Sequence, residues 1–403
     1  MSAGTNWSGT YTYTAERLHR PASVQELQEI VAAAPRVRVL GSRHSFSDIA
    51  DSDELVTLEG LPADIEVHGD TASVGAATKY GQLAEALHGQ RLALHNLASL
   101  PHISVGGAIA TATHGSGDAN GNLATAVAAL ELVTSGGEVV TARRGGADFD
   151  GLVVGLGALG AVTRVTLDVE PDYTVRQRVF EGMTWPALLE HFDAIMASGY
   201  SVSVFTRWGE TVDQVWVKSR DEGPTEMFGA APATVERHPI LGLDPVNCTP
   251  QLGVPGGWAD RLPHFRMGFT PSAGEEIQSE YHLPRAHAAA AIEAVRGLAD
   301  TLRAVLQVSE IRTIAADRLW MSPHYERDSV ALHFTWERQP EAVQRALAAV
   351  EAALAPFDPR PHWGKTFLAA PRYERLADFA ALAERLDPRG AFRNAWLERS
   401  LFG

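Results

Sequence analysis

The pattern of the chain changes at Glu170-Pro171, and no other feature narrows its possible folds as much. Before that point short strands alternate with helices and small-residue loops. After it, longer strands come in series with helices between them and no regular βαβ alternation. Strands grouped this way argue for an α+β fold with a mainly antiparallel sheet, because a parallel sheet needs a crossover after every strand. The chain has 403 residues, 45% of them hydrophobic, which suits two domains at roughly 100–200 residues each. The expected divisions are 1–171 for a first domain, 172–360 for a second, and 361–403 for a C-terminal return to the first.

In the first part Ser23 and Glu26 fit a capping box that opens a helix through Ala34, stopped by Pro35. Arg36–Leu40 reads as a strand running into Gly41-Ser42-Arg43-His44-Ser45, a small-residue loop whose amides can turn toward an anion. A strand near Ala72–Gly75, a helix over Tyr80–His88 and a strand over Ala161–Val169 follow. Ser135-Gly136-Gly137 predicts a hairpin turn between Val127–Thr134 and Glu138–Ala142. In the second part strands are predicted at Val202–Arg207, Gln214–Lys218, Ile277–Leu283, Ile311–Ala315 and Val330–Trp336. Helices are predicted at Trp185–Ala197, Ala286–Leu306 and Pro340–Ala355, and the Pro- and Gly-rich Gly223–Gly257 reads as a long excursion.

Charge and cysteine content remove several function classes. Lys and Arg number 34 against 49 Asp and Glu, a net charge of −15, so nucleic acid is not an expected partner. The single cysteine, Cys248, excludes an intrachain disulfide, a multi-cysteine zinc site and a cysteine-ligated iron–sulfur cluster. No metal is called for, and any redox chemistry must come from a borrowed cofactor. The first residues lack the charged start and apolar run of a signal peptide, and no apolar stretch approaches the ~20 residues that cross a bilayer. The expectation is a cytoplasmic protein without a membrane partner. Lys79, Lys218 and Lys365 are the only lysines.

Gly155-Leu156-Gly157-Ala158-Leu159-Gly160 matches the dinucleotide fingerprint G-x-G-x-x-G. That fingerprint must follow a strand and open a helix, whereas here it precedes a strand, so close packing or a glycine-lined ligand wall is the expectation. Leu97 to Ala108, continuing into Thr111-Ala112-Thr113-His114-Gly115-Ser116-Gly117, contains few large side chains and can bring amides and hydroxyls against a flat, phosphate-bearing ligand. Taken alone, that run reads as an ordinary turn-rich loop.

Together with the Gly41–Phe46 loop, these segments resemble the flavin domain of the vanillyl-alcohol-oxidase-type flavoproteins, and most closely that of the alditol (xylitol, sorbitol) oxidases. Ala98-Ser99-Leu100-Pro101-His102-Ile103-Ser104, Pro361-His362-Trp363-Gly364-Lys365 and Asp387-Pro388-Arg389-Gly390-Ala391-Phe392-Arg393-Asn394 extend the likeness over nearly the whole chain. The resemblance implies a two-domain flavoprotein, with FAD bound by the 1–171 domain and substrate capped by 172–360. It implies covalent FAD through His44, a flavin bed of Val39, Leu40, Gly41, Ser42, Arg43, Ser45, Ala98, Ser99, Ser104, Gly107, Thr111, Ala112, Thr113, His114 and Val162, and approach of His362 from the C-terminal return.

In the second domain Glu310 and Arg312 stand two apart, as do His333 and Thr335. On strands such pairs share a face, leaving Leu332, Phe334 and Trp336 for the core. The polar face is either a floor of hydrogen-bonding groups or an exposed sheet surface, and the residues alone leave both open. The resemblance matches these positions to polyol-binding residues, joined by Ser99 and Lys365. It implies transfer of a hydride from a terminal carbinol carbon to flavin N5, with O₂ as acceptor. Arg312 and Lys365 would stabilise developing alkoxide charge, and Glu310 would orient Arg312 or grip a hydroxyl. A sugar-lactone oxidase or dehydrogenase, and a non-catalytic carbohydrate-binding protein, are the alternatives.

Overall fold

The computed structural model describes residues 3–268 and 275–402. The helix Val24–Ala33 starts as its capping residues dictate: Ser23 Oγ accepts from the Glu26 amide, and the Glu26 carboxylate accepts from the Ala22 amide. It buries Leu27 and Val31. Val37–Val39 then pairs in parallel with Glu54–Val56, which pairs in parallel with Arg17–His19. A second, antiparallel sheet runs in the order Ile65–His68, Thr71–Gly75, Ala161–Asp168, Val127–Val133, Val139–Arg143. Its outer members include the predicted hairpin. Gly155–Gly160 joins the short helix Phe149–Val153 to the strand Ala161–Asp168, the reverse of the dinucleotide order. The turn is tight: Gly160 has φ 149°, and a Cβ there would lie 2.6 Å from Leu132 Cδ1.

The C-terminal segment packs on these two sheets. Phe379, Phe392, Trp396 and Leu397 join Leu27, Tyr80, Leu132 and Val165 in one core. Arg38 fastens the join, donating from its buried guanidinium to the carbonyls of Ile49, Leu156, Gly157 and Phe392. Four carbonyl partners satisfy a charge that would otherwise be costly to bury.

The remainder forms a nine-stranded sheet with the order Ala231–Pro232, Thr174–Glu181, Gln214–Ser219, Ser201–Thr206, Leu306–Ile314, Ser329–Glu337, Glu276–Pro284, Arg360–Pro361, with Gly256–Gly257 also pairing on Thr174–Glu181. Every pairing in it is antiparallel. One face packs in a second core, where Leu332, Phe334 and Trp336 meet Trp185, Ile292, Val295, Leu347 and Val350. The opposite face carries the polar residues.

Two predicted helices are interrupted. Ala286–Leu306 resolves into Ala288–Arg296 and Ala299–Arg303, parted near Gly297, and Leu306 already opens the strand Leu306–Ile314. Glycine is a poor helix former, and the strand's pairing on both sides outweighs the local helical periodicity. Trp185–Ala197 breaks at His191 into Trp185–Glu190 and Phe192–Met196. The excursion from Gly223 passes Gly257 and reaches back to the first part of the chain, where the amides of His264 and Phe265 donate to the Ser99 carbonyl. Among the described residues no helix is long and apolar enough to cross a membrane.

Candidate active site

A cavity of about 310 Å³ lies between the small-residue loops of the first core and the polar face of the large sheet. Its loop side is built by close backbone approach. Ser42 and Ser104 exchange hydrogen bonds, each amide donating to the other's hydroxyl at 3.3 and 2.9 Å. Ser104 Oγ occupies the space where side chains on Gly41 or Gly107 would be, since a Cβ there would come within 2.8 or 2.9 Å of it. Val39, Leu40, Arg43, Ser45, Ala98, Thr111, Thr113, His114 and Val162 also line this wall. Ala112 does not: it is buried in the first core with φ 52°, so this predicted bed residue supports the wall from behind.

This wall fits a flavin dinucleotide. Glycines and small hydroxyl residues leave room for a flat ring and a pyrophosphate. The His44 imidazole lies on the cavity, stacked on Trp7 at 5.4 Å between centroids, and its buried Nδ1 has no hydrogen-bond partner. Burial pushes the His44 pKa down to about 4, so the ring is neutral and nucleophilic at physiological pH.

Strand register sets the opposite wall. Phe205, Glu310, His333 and Glu280 form one cross-strand row, and Val308, Thr335 and Gln278 the next. Glu310 and Arg312 are each only 4% exposed and Thr335 7%, so this face is an enclosed floor and not a solvated surface. The C-terminal return closes one end. His362 and Thr366 donate backbone hydrogen bonds to Glu280 and Gln278, while Phe46 donates to Gly364, so residues 362–366 bridge the sheet to the His44 loop. Ser99, Glu310, Arg312, His333, Thr335, His362 and Lys365 therefore share one cavity. Arg312 donates to Ser99 Oγ at 3.4 Å, linking the two walls.

Sequence reasoning missed the residue at the centre of the charges. Glu280, fully buried, accepts from Arg312 at 2.7 Å through Oε1 and from Lys365 through Oε2, and its Oε1 lies 3.0 Å from His114 Nε2. Burial pushes this carboxyl up, but Lys365, His114 and Arg312 outweigh it and hold it well below the usual range. Burial likewise lowers Lys365, against the pull of Glu280. His264 and Lys218 were also missed. Glu310 takes its closest contact from His264 Nε2 at 2.8 Å, and Lys218 donates to His264 Nδ1 at 3.0 Å and to the carbonyls of Leu262 and Pro263. Burial lowers the His264 and His333 pKa values to about 4.

The FAD binding domain family matches residues 15–143, and the D-arabinono-1,4-lactone oxidase family matches residues 273–400. Alditol oxidase from Streptomyces sp. (strain IKD472 / FERM P-14339) is 49% identical over 415 residues, covering 100% of both chains. L-gulono-1,4-lactone dehydrogenase from Mycobacterium tuberculosis is 30% identical with 98% of each chain covered, and L-gulonolactone oxidase from Bos taurus 27% over the same shares. Among solved structures, cholesterol oxidase from B. sterolicum superposes with a TM-score of 0.76 at 15% identity, covering 99% of this chain and 96% of that one, which shows a shared fold. With an FAD-binding domain in front, a sheet-borne polar cavity behind it, and end-to-end likeness at 49% identity, the chain belongs to the alditol oxidase family of FAD-dependent oxidoreductases.

Proposed function

We propose that this protein oxidises the terminal hydroxyl of an alditol such as xylitol or sorbitol to the aldose, with O₂ reduced to hydrogen peroxide. The observation that carries this reading is the enclosed floor of Glu310, Arg312, His333, Thr335 and Lys365 facing Ser99. A polyol offers only hydroxyls, and a buried row of donors and acceptors discriminates among them as an apolar cleft cannot. The chemistry supplied by bound FAD is acceptance of a hydride from the carbinol carbon and delivery of its electrons to O₂.

The chain's own residues do the rest. Lys365 and Arg312 bring positive charge to the hydroxyl that is losing its proton, in a site where little water screens them. Glu310 accepts from a neighbouring hydroxyl, and Ser99, His333 and Thr335 fix the remainder of the polyol. His44 anchors FAD covalently, a role supported by its neutral ring and unpartnered Nδ1. Ala98, small and at the cavity wall, leaves O₂ a path. We assign 1–171 and 361–403 to the FAD-binding part and 172–360 to the substrate cap, in keeping with the two cores, although Trp258 and Trp320 cross from the cap into the first core.

Peroxide formation and oxygen uptake with xylitol and sorbitol, set against gulono- and galactonolactone, test the substrate class. Turnover of lactones alone would make this a lactone oxidase. A colourless protein would point to non-catalytic carbohydrate binding. For the linkage, acid-precipitated protein should stay yellow and fluorescent; release of all flavin to the supernatant would remove His44 from that role.

A further inference from the structure

Behind the floor lies a cluster of imidazoles that the reaction above does not use. His114, Glu280 and His282 bring one ligand-type atom each to within 4.8 Å of one another, all buried. His324 Nε2 lies 3.0 Å from His282 Nδ1, and Asn122, Ser322 and Asp317 surround the other His324 nitrogen.

The free ring nitrogens reveal what the cluster can do. His114 Nδ1 sits 2.8 Å from the Gly115 carbonyl, which only accepts, so in the neutral ring Nδ1 carries the hydrogen and Nε2 presents a lone pair. That Nε2 is buried, lies 3.0 Å from Glu280 Oε1, and has no aligned hydrogen-bond partner. His282 Nε2 is also buried and unpartnered. The His114 acceptor nitrogen thus stands at an anionic carboxylate with no proton between them, an arrangement that lacks one proton. Three such ligand types also suit a divalent ion. Arg312 and Lys365, however, already hold the two oxygens of Glu280, and two fixed cations in contact disfavour a doubly charged third.

We propose that His114, reached through Lys365 and Glu280, is the acceptor of the hydroxyl proton during alditol oxidation; the inference rests on the oxidase reading. A Lys365 N–H bond breaks as an O–H bond forms on Glu280 Oε2, which leaves a neutral amine, and the substrate O–H bond then breaks as a new N–H bond forms on that amine. A half-turn of the neutral carboxyl presents that proton to His114 Nε2. The carbinol C–H electron pair leaves as hydride to bound FAD, and C–O becomes C=O. Lys365 and Glu280 finish as ammonium and carboxylate, and His114 finishes as imidazolium beside its counter-ion.

The charged and titratable groups facing His114 are Glu280, Arg312, Lys365, His282, His324 and His362. Burial keeps His114 below the ordinary histidine range, so the resting ring is free to accept. The anaerobic rate of flavin reduction by xylitol should therefore be level near neutrality and fall on the acid side. In His114→Asn the rate per bound FAD should drop by about 10²–10³-fold, within the range for loss of a general base, and the acid limb should vanish while dithionite still reduces the bound flavin. Nitrogen-15 histidine NMR of the unaltered holoenzyme gives a second readout that does not depend on turnover or on the variant folding. At pH 7.5 the His114 Nε2 should be unprotonated. A protonated Nε2 at rest, a His114→Asn variant with an unchanged rate and acid limb, or one stoichiometric metal ion in the purified protein would each overturn the inference. A wild-type enzyme that no alditol reduces would instead overturn the oxidase reading, and this inference with it.

Discussion

Lys365 shows how one side chain depends on its backbone setting. Its segment is fixed from both sides, with His362 and Thr366 bonded to the large sheet and Phe46 bonded to Gly364, so the ammonium has little freedom to relax away from Glu280. A charge held in this way costs no reorganisation when the alkoxide develops. Lys365→Met should lower kcat and kcat/KM together by about 10²–10³, the pattern for an interaction made mainly in the transition state. FAD loading should not change. Near-normal alditol turnover by the fully loaded variant would leave the charge-stabilising role to Arg312 alone.

The strand is the unit at which the sequence was most legible, and its two-residue period explains both the success and the omission. Glu310 with Arg312, and His333 with Thr335, fall on the cavity side because alternate residues share a face. The same rule places Glu276, Gln278 and Glu280 on that side of the strand Glu276–Pro284, opposite Ile277, Tyr281 and Leu283 in the second core. Our reading takes this strand by its apolar residues alone and so passes over Glu280. His264 left no such signal, because it reaches Glu310 and the Ser99 carbonyl only after the chain has crossed the sheet. Its environment can be tested through Lys218. Glu310 is held ionised, so His264 Nε2 must donate to it, Nδ1 must accept, and Lys218 supplies that donor. Lys218→Met leaves the Leu262 carbonyl and His264 Nδ1 short of a donor, while the Pro263 carbonyl keeps Thr249 Oγ1, at about 1–3 kcal/mol for each buried group left unpaired. The variant should melt at lower temperature and bind alditol with a raised KM, while kcat falls less. An unchanged KM in a folded variant would show that Glu310 is positioned without this chain of contacts.

At the scale of the whole molecule the site is a collection of histidines kept neutral by burial, and this sets how the fold responds to acid. His264 and His333 are lowered to about 4, and burial lowers His114, His282, His324 and His362 as well. An unfolded histidine titrates near 6.5, so below that pH the unfolded chain binds more protons than the native one. The stability contributed by these groups is therefore complete above about pH 6.5 and is lost as pH falls toward 4. At 1.36 kcal/mol per pKa unit, a drop from 6.5 to about 4 corresponds to about 3 kcal/mol for each of His264 and His333. Glu280 and Glu310, held below their usual range, act in the same direction at lower pH. Asp317 opposes them, since burial raises it to about 6 and its protonated form favours the native state as pH falls from there. Asp213, also raised by burial, acts in the same direction as Asp317, and two carboxyls against six imidazoles do not reverse the sign. Thermal melts should show a Tm that is level from pH 8 to about 6.5 and then falls steeply, because a few kcal/mol is a large share of the roughly 5–15 kcal/mol that stabilises a domain. A Tm that stayed flat down to pH 4.5 would mean that the folded protein takes up these protons without penalty, with Glu280 and Glu310 receiving imidazolium neighbours as readily as neutral ones.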